Sequence, residues 1–229
     1  MTYPPVAASE DLQQSFKSAL KVPTNITIKL DIFTWNVHAE LLASNSEFFK
    51  YFIEDSTWKE NEERCVKILD DNEWMLARML QFLYYGYYDY DQDVPQYENA
   101  VSLADLVQGG CRKVTDAEPD PNFCMRVDLR MLQLGTKYCF GALKSHALAE
   151  LRSYNGETFI KVVEDYCLYR INRHPGLKEL VAERISNLYN ELKEAQGVEE
   201  WNAGIGKWLR DDHELCIMVM DELAKSSRH

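Results

Sequence analysis

The chain has 229 residues, 46% of them hydrophobic, which is enough for one domain with an extension, or two small ones, and for a core that needs no covalent staple. A formal net charge of -12 at pH 7 repels phosphate backbones and anionic lipid, so neither nucleic acid nor a membrane surface is an expected partner and a basic protein surface is. Cys65, Cys111, Cys124, Cys139, Cys167 and Cys216 form no Cys-x-x-Cys pair and have no histidine at zinc-ligand spacing, so they read as free thiols of an intracellular protein, cytoplasmic or nuclear.

Residues 1–24 form an N-terminal arm in which Leu12, Phe16 and Leu20 share one face of a short helix before Pro23; no basic run leads into an apolar stretch, so no secretory signal is expected. Every apolar run in the chain is broken by charge well short of a membrane span. Ile26, Ile28 and Leu30 alternate with polar residues, and Phe33, Trp35 and Val37 repeat the pattern, which predicts a β-hairpin. Helical spacing follows from His38 to Ala43. Ser44 and Glu47 then have capping-box spacing for a helix whose inward face is Phe48, Phe49, Phe52 and Ile53.

After a polar stretch, Val66, Ile68 and Leu69 predict a short strand. Asp70 and Glu73 open an amphipathic helix with Met75, Met79, Phe82 and Leu83 as its stripe. From about 89 to 124 the pattern weakens into a surface insertion, with only Val101 to Val107 helical. Periodicity resumes at Leu129, Leu132 and Thr136 and continues through Leu143, Ala147 and Leu151, a helical hairpin broken near Gly141. Helical stripes fill the remainder: Phe159 to Tyr166, Leu177 to Leu192, Trp201 to Trp208 and Leu215 to Leu223.

Val37-His38, Phe82-Leu83-Tyr84-Tyr85-Gly86 and Gly135-Thr136-Lys137-Tyr138, in this order, resemble motifs of the BTB/POZ domain. Val37-His38 followed by Leu41, Leu42, Ser46 and Phe49 is similar to the family's helix-opening motif. Phe82-Leu83-Tyr84-Tyr85-Gly86 resembles its Phe-Leu-Tyr-Thr-Gly segment, and Gly135-Thr136-Lys137-Tyr138 resembles the Ala-Asp-Lys-Tyr stretch before its last helical hairpin. The Tyr87-Tyr88 doublet before an acidic stretch looks most like the divergent BTB proteins of filamentous fungi. The resemblance covers residues 25–150 and leaves 151–229 as a helical extension. It implies an α+β fold, a small, mainly antiparallel sheet flanked by helices. It also implies a protein-binding module that homodimerises or bridges partners. Asn25 stands where many members carry an aspartate that helps form a charged pocket at the dimer interface, which puts recruitment through that pocket in doubt.

Trp58-Lys59-Glu60 resembles the hydrophobic-x-Glu motif of members that recruit a cullin ubiquitin-ligase scaffold, which implies Trp58 and Glu60 as partner-binding residues and a substrate adaptor as the function. The competing reading is a scaffold or regulator of the same fold with no ligase contact, in which Trp58 packs on its own domain. His38 reads as a structural residue at a strand-to-helix junction, and Asp211-Asp212-His213-Glu214 as capping and dipole partners of a helix rather than metal ligands. His174 and His229 are isolated. No nucleophile elbow, phosphate loop or dinucleotide fingerprint occurs, Gly109-Gly110 lacks a following lysine, and Asp70-Asp71 sits at a helix start. Neither catalysis, a cofactor nor a metal is expected.

Overall fold

The computed structural model describes residues 24–54, 63–90, 101–102, 121–156, 159–160, 162–163, 174, 176–189 and 205–226. They form a small sheet and a larger set of helices, an α+β arrangement. The chain divides into two compact units, one of Met1–Asp120 with Arg130–Ala147 and one of Pro121–Leu129 with Leu148–His229.

In the first unit, β1 (Ile26–Leu30) and β2 (Phe33–Val37) form the expected hairpin, with Ile26 opposite Val37 and Leu30 opposite Phe33. The alternation in the sequence sets the faces: Ile26, Ile28, Leu30, Trp35 and Val37 point into the core. Asp31, at φ 51°, takes the left-handed conformation the tight turn requires, which a short polar side chain tolerates. Two helices follow, α1 (Ala39–Asn45) and α2 (Glu47–Glu54). Strand β3 (Cys65–Lys67) then returns beside β1, and the two-residue β4 (Val101–Ser102) lies beside β2, in the order β3-β1-β2-β4.

The expectation of a mainly antiparallel sheet is corrected here. Only the hairpin is antiparallel; β3 runs parallel to β1 and β4 parallel to β2. A tight turn forces antiparallel pairing, whereas strands reached through long connections are free to return in the same sense. Val101 and Ser102 are extended rather than helical, and the rest of that expected helix lies outside the described residues.

Helix α3 (Glu73–Tyr85) is capped by Asn72, whose Oδ1 accepts from the amides of Trp74 and Met75 at 3.1 and 3.2 Å. It ends at Gly86, where φ 73° favours a residue without Cβ and the amide donates to Phe82 O at 2.8 Å. Its buried face is Leu76, Met79, Leu80, Phe82 and Leu83, with Met75 at the margin. The chain beyond Gly86 is held back onto α3, because the buried Arg78 donates through Nε to Asp89 O at 2.8 Å and Gln81 Nε2 to the Asp89 carboxylate at 2.8 Å.

Helix α4 (Pro121–Lys137) begins well before Leu129, where periodicity resumes in the sequence. A turn at 138–140 joins it to α5 (Gly141–Ser153). Within the first unit Gly135 fixes how closely these helices approach: a Cβ there would lie 2.9 Å from Lys144 N.

The second unit is helical in most of its described residues and includes α6 (176–189), α7 (Ile205–Asp211) and α8 (His213–Ser226). Its core contains Met125, Leu151, Phe159, Val163, Leu180 and Ile185. Asp128, fully buried, accepts from Tyr154 Oη at 2.7 Å. Lys178 extends its ammonium to Asp212 at 2.9 Å and Glu214 at 2.6 Å. Asp212 Oδ1 also accepts from Leu215 N at 3.0 Å, so the Asp211–Glu214 run serves α8 as cap and ion-pair partner. Among the described residues no helix is long and apolar enough to cross a membrane.

Candidate partner-binding site

The motif residues all lie in the first unit. Ser46, between α1 and α2, accepts through Oγ from Phe49 N at 3.2 Å and donates to Tyr138 O at 2.5 Å. It therefore caps α2 and pins the turn between α4 and α5. Ser44, expected to cap α2, instead donates to Leu41 O at 3.0 Å; it belongs to the last turn of α1, and its hydroxyl returns to a carbonyl three residues back. Phe49, fully buried, stacks on Tyr138 with ring centroids 5.3 Å apart, and Phe48 meets the same ring edge-on at 5.1 Å. Phe48, Phe52 and Ile53 are only half-buried, so the inward face of α2 is narrower than its four apolar residues suggest.

The other side of the Tyr138 turn is held by Asp71. Its carboxylate takes Lys137 Nζ at 2.9 Å and accepts from Tyr138 Oη in a short hydrogen bond. Burial, and then the adjacent carboxylate, push the Tyr138 phenol far above its ordinary pKa. Asp70-Asp71 does not cap α3, since Asn72 does; Asp71 makes a long-range tie and Asp70, at φ 61°, makes the turn.

His38 and Tyr84 form a second anchor. The Tyr84 hydroxyl accepts from His38 N at 3.0 Å and lies 2.8 Å from His38 Nδ1. Donation of the phenolic proton to Nδ1 satisfies both groups and leaves the imidazole proton on Nε2. Burial raises the Tyr84 pKa against the lowering effect of the backbone bond. Asn25 caps α1 from outside the helix, its Oδ1 accepting from Ala39 N at 2.7 Å and its Nδ2 donating to Glu40 at 2.9 Å. Leu42, Phe82 and Leu83 are core, and Tyr88 packs on Phe82 and His146.

On this floor lies an open groove of about 710 Å³ between the α1–α2 junction and the α4–α5 turn. Ser44, Glu47, Lys50 and Glu54 form one wall and Cys139, Gly141 and Ala142 the other. The wall residues are exposed, and Tyr51 beside them is 67% exposed. Glu47, Lys50 and Glu54 present alternating charge along one face of α2. Trp58 and Glu60 follow α2 in the sequence and lie outside the described residues. Sequence reasoning missed Lys50 and Cys139 as groove residues. The signal for Lys50 was its placement between Glu47 and Glu54 on one helical face; Cys139, at φ 50° in a turn, gave none.

Among the described residues no three His, Cys, Asp or Glu side chains converge as a metal site would require. The described cysteines, Cys65, Cys124, Cys139 and Cys216, are free thiols. What this region offers chemically is a groove with mixed charge and an exposed aromatic, Tyr51, on the adjoining helix α2, the makings of a contact surface.

No family model matches the chain. Over 81 residues it is 30% identical to the BTB and MATH domain-containing protein 40 of Caenorhabditis elegans. The chain is similar to a BTB protein. The match takes in 35% of this chain and 20% of the relative, so the chain spans about a fifth of that protein's length.

Proposed function

We propose that this chain is a BTB/POZ interaction module that acts by binding rather than by catalysis, inside the cell, and serves a cullin-based ubiquitin ligase as a substrate adaptor. The BTB reading is supported by the similarity to the nematode protein and by the order of hairpin, helix pair, strand and helix. The Tyr87-Tyr88 doublet ahead of acidic residues is the ground for setting it beside the fungal proteins.

One observation carries the cullin reading: the exposed wall of α2, with Tyr51 outward and the groove beside it, leads directly in sequence to Trp58-Lys59-Glu60. An aromatic and an acid that follow such a wall in the sequence would supply an anchor and a charged rim contact for a partner helix.

Titration of the full chain with a purified cullin N-terminal domain tests this. Binding that is lost in the Trp58→Ala, Glu60→Ala double variant and weakened in Tyr51→Ala, with circular dichroism unchanged, supports the adaptor reading. Absence of binding by the native chain sinks it and leaves the alternative, a BTB scaffold or regulator without ligase contact.

A further inference from the structure

Helix α8, His213–Ser226, buries Leu215 and Val219 and turns the opposite face to solvent. That outer face exposes two large apolar side chains. Ile217 is 49% and Met220 62% exposed, and with His213 before them and Ala224 after them they repeat at spacings of four, three and four residues. This is the seam of a helix built to pack along another helix. Along one flank lie the exposed Glu214 and Asp221, followed one turn on by Lys225, whose ammonium is engaged by Glu222; along the other lie the half-buried Cys216 and Leu223. Glu214 holds Lys178 through one oxygen while its side chain stays 77% exposed.

The charge pattern selects the occupant. In an antiparallel pair of two α8 helices the acidic flanks would face each other, setting Glu214 against Asp221 of the second copy, and in a parallel pair the acids would face Cys216 and Leu223. Neither arrangement gains attraction, so a second copy is a poor fit. An anionic membrane is repelled by the same acids. We propose that the outer face of α8 docks a basic amphipathic helix of another protein, its apolar stripe against Ile217, Met220 and Ala224 and its lysines or arginines against Glu214 and Asp221. This surface lies wholly within the second unit and stands apart from the BTB reading.

The test uses the full chain and two synthetic helical peptides of three heptads with leucine at the seam, one flanked by lysine and one by glutamate. The lysine peptide should bind, weaken with salt, and bind at least about tenfold more tightly than the glutamate peptide. Ile217→Asp with Met220→Asp should reduce its affinity by about tenfold or more, and Asp221→Lys should erase the preference between peptides. Met220→Lys alone provides the seam test if the double variant loses helicity. The proposal is overturned if the two peptides bind alike, if neither binds, or if the seam variants bind the lysine peptide as the native chain does. Reversible dimerisation abolished by Met220→Lys would overturn it in favour of a second copy, and binding to anionic vesicles through the same face in favour of a membrane.

Discussion

The hydroxyl of Ser46 donates to the carbonyl of Tyr138 at 2.5 Å across a sequence separation of 92 residues, while accepting the amide of Phe49 at 3.2 Å. One small side chain therefore closes two accounts of unsatisfied backbone polarity, the first turn of α2 and the turn between α4 and α5. Both walls of the groove depend on it.

Ser46→Ala should therefore cost about 1–3 kcal/mol, the sum of a lost cap and a buried carbonyl left without its donor. Ser44→Ala, at an exposed site whose hydroxyl only returns to its own helix, should stay within about 0.5 kcal/mol. Urea unfolding of the two variants separates them. Equal losses would mean that Ser46 does not cap α2.

Gly135 and Gly141 make a second contrast. A methyl group at Gly135 meets Lys144 backbone at 2.9 Å, so Gly135→Ala should destabilise by about 1–3 kcal/mol as α4 and α5 are forced apart. Nothing lies within 4 Å of a Cβ at Gly141, so Gly141→Ala should be neutral or gain up to about 1 kcal/mol in helix propensity. Thermal unfolding of both variants reads the difference, and a destabilised Gly141→Ala would refute it.

How much of this was legible in the sequence varies with the range of the interaction. Alternation in Ile26–Leu30 and Phe33–Val37 specified the hairpin and its faces because strand periodicity is a local property. Leu69, read as part of the third strand, lies past its end and is 76% exposed, since a lone apolar residue beyond a strand carries no phase. The parallel return of β3 was not legible, because strand direction is set by the connection and its packing. Local rules also placed caps two positions away: Ser44 for Ser46, and Asp70 for Asn72. Those choices are decided by distant partners. Ser46 is fixed by Tyr138, and Asp71 is drawn away by Lys137 and Tyr138, contacts that no short window contains.

The ion-pair group of the second unit predicts unequal costs. Burial alone would lower the Lys178 pKa, but its bonds to Glu214 and Asp212 override that and raise it, so the lysine stays charged. Asp212, largely enclosed and also capping α8, should cost about 2–4 kcal/mol on change to Ala, since a cap is lost and a buried ammonium loses one partner. Glu214→Gln, with a side chain 77% exposed, should cost less than about 1 kcal/mol. Denaturant titration at neutral pH checks the order, which a larger loss for Glu214→Gln would reverse.

The two buried tyrosines set an alkaline limit. Both Tyr84 and Tyr138 have pKa values raised in the folded chain, through burial first and, for Tyr138, the Asp71 carboxylate after it. A raised pKa means the folded state holds its proton more tightly than the unfolded state does. The stabilisation is fully present below the unfolded phenol value of about 10 and is lost progressively as pH climbs toward the folded values. Stability should therefore fall above pH about 10, each phenol contributing a slope of up to about 1.4 kcal/mol per pH unit. Tyr138→Phe removes one titrating group and leaves Asp71 its ion pair with Lys137, so this variant should start less stable at neutral pH yet lose stability less steeply with alkali. Tyr84→Phe should behave alike in slope but cost more at neutral pH, about 1–3 kcal/mol, because the buried amide and Nδ1 of His38 both lose their partner. Unfolding free energies measured from pH 8 to 12 decide it. Parallel curves for native and variant chains would mean that neither phenol is held protonated by the fold.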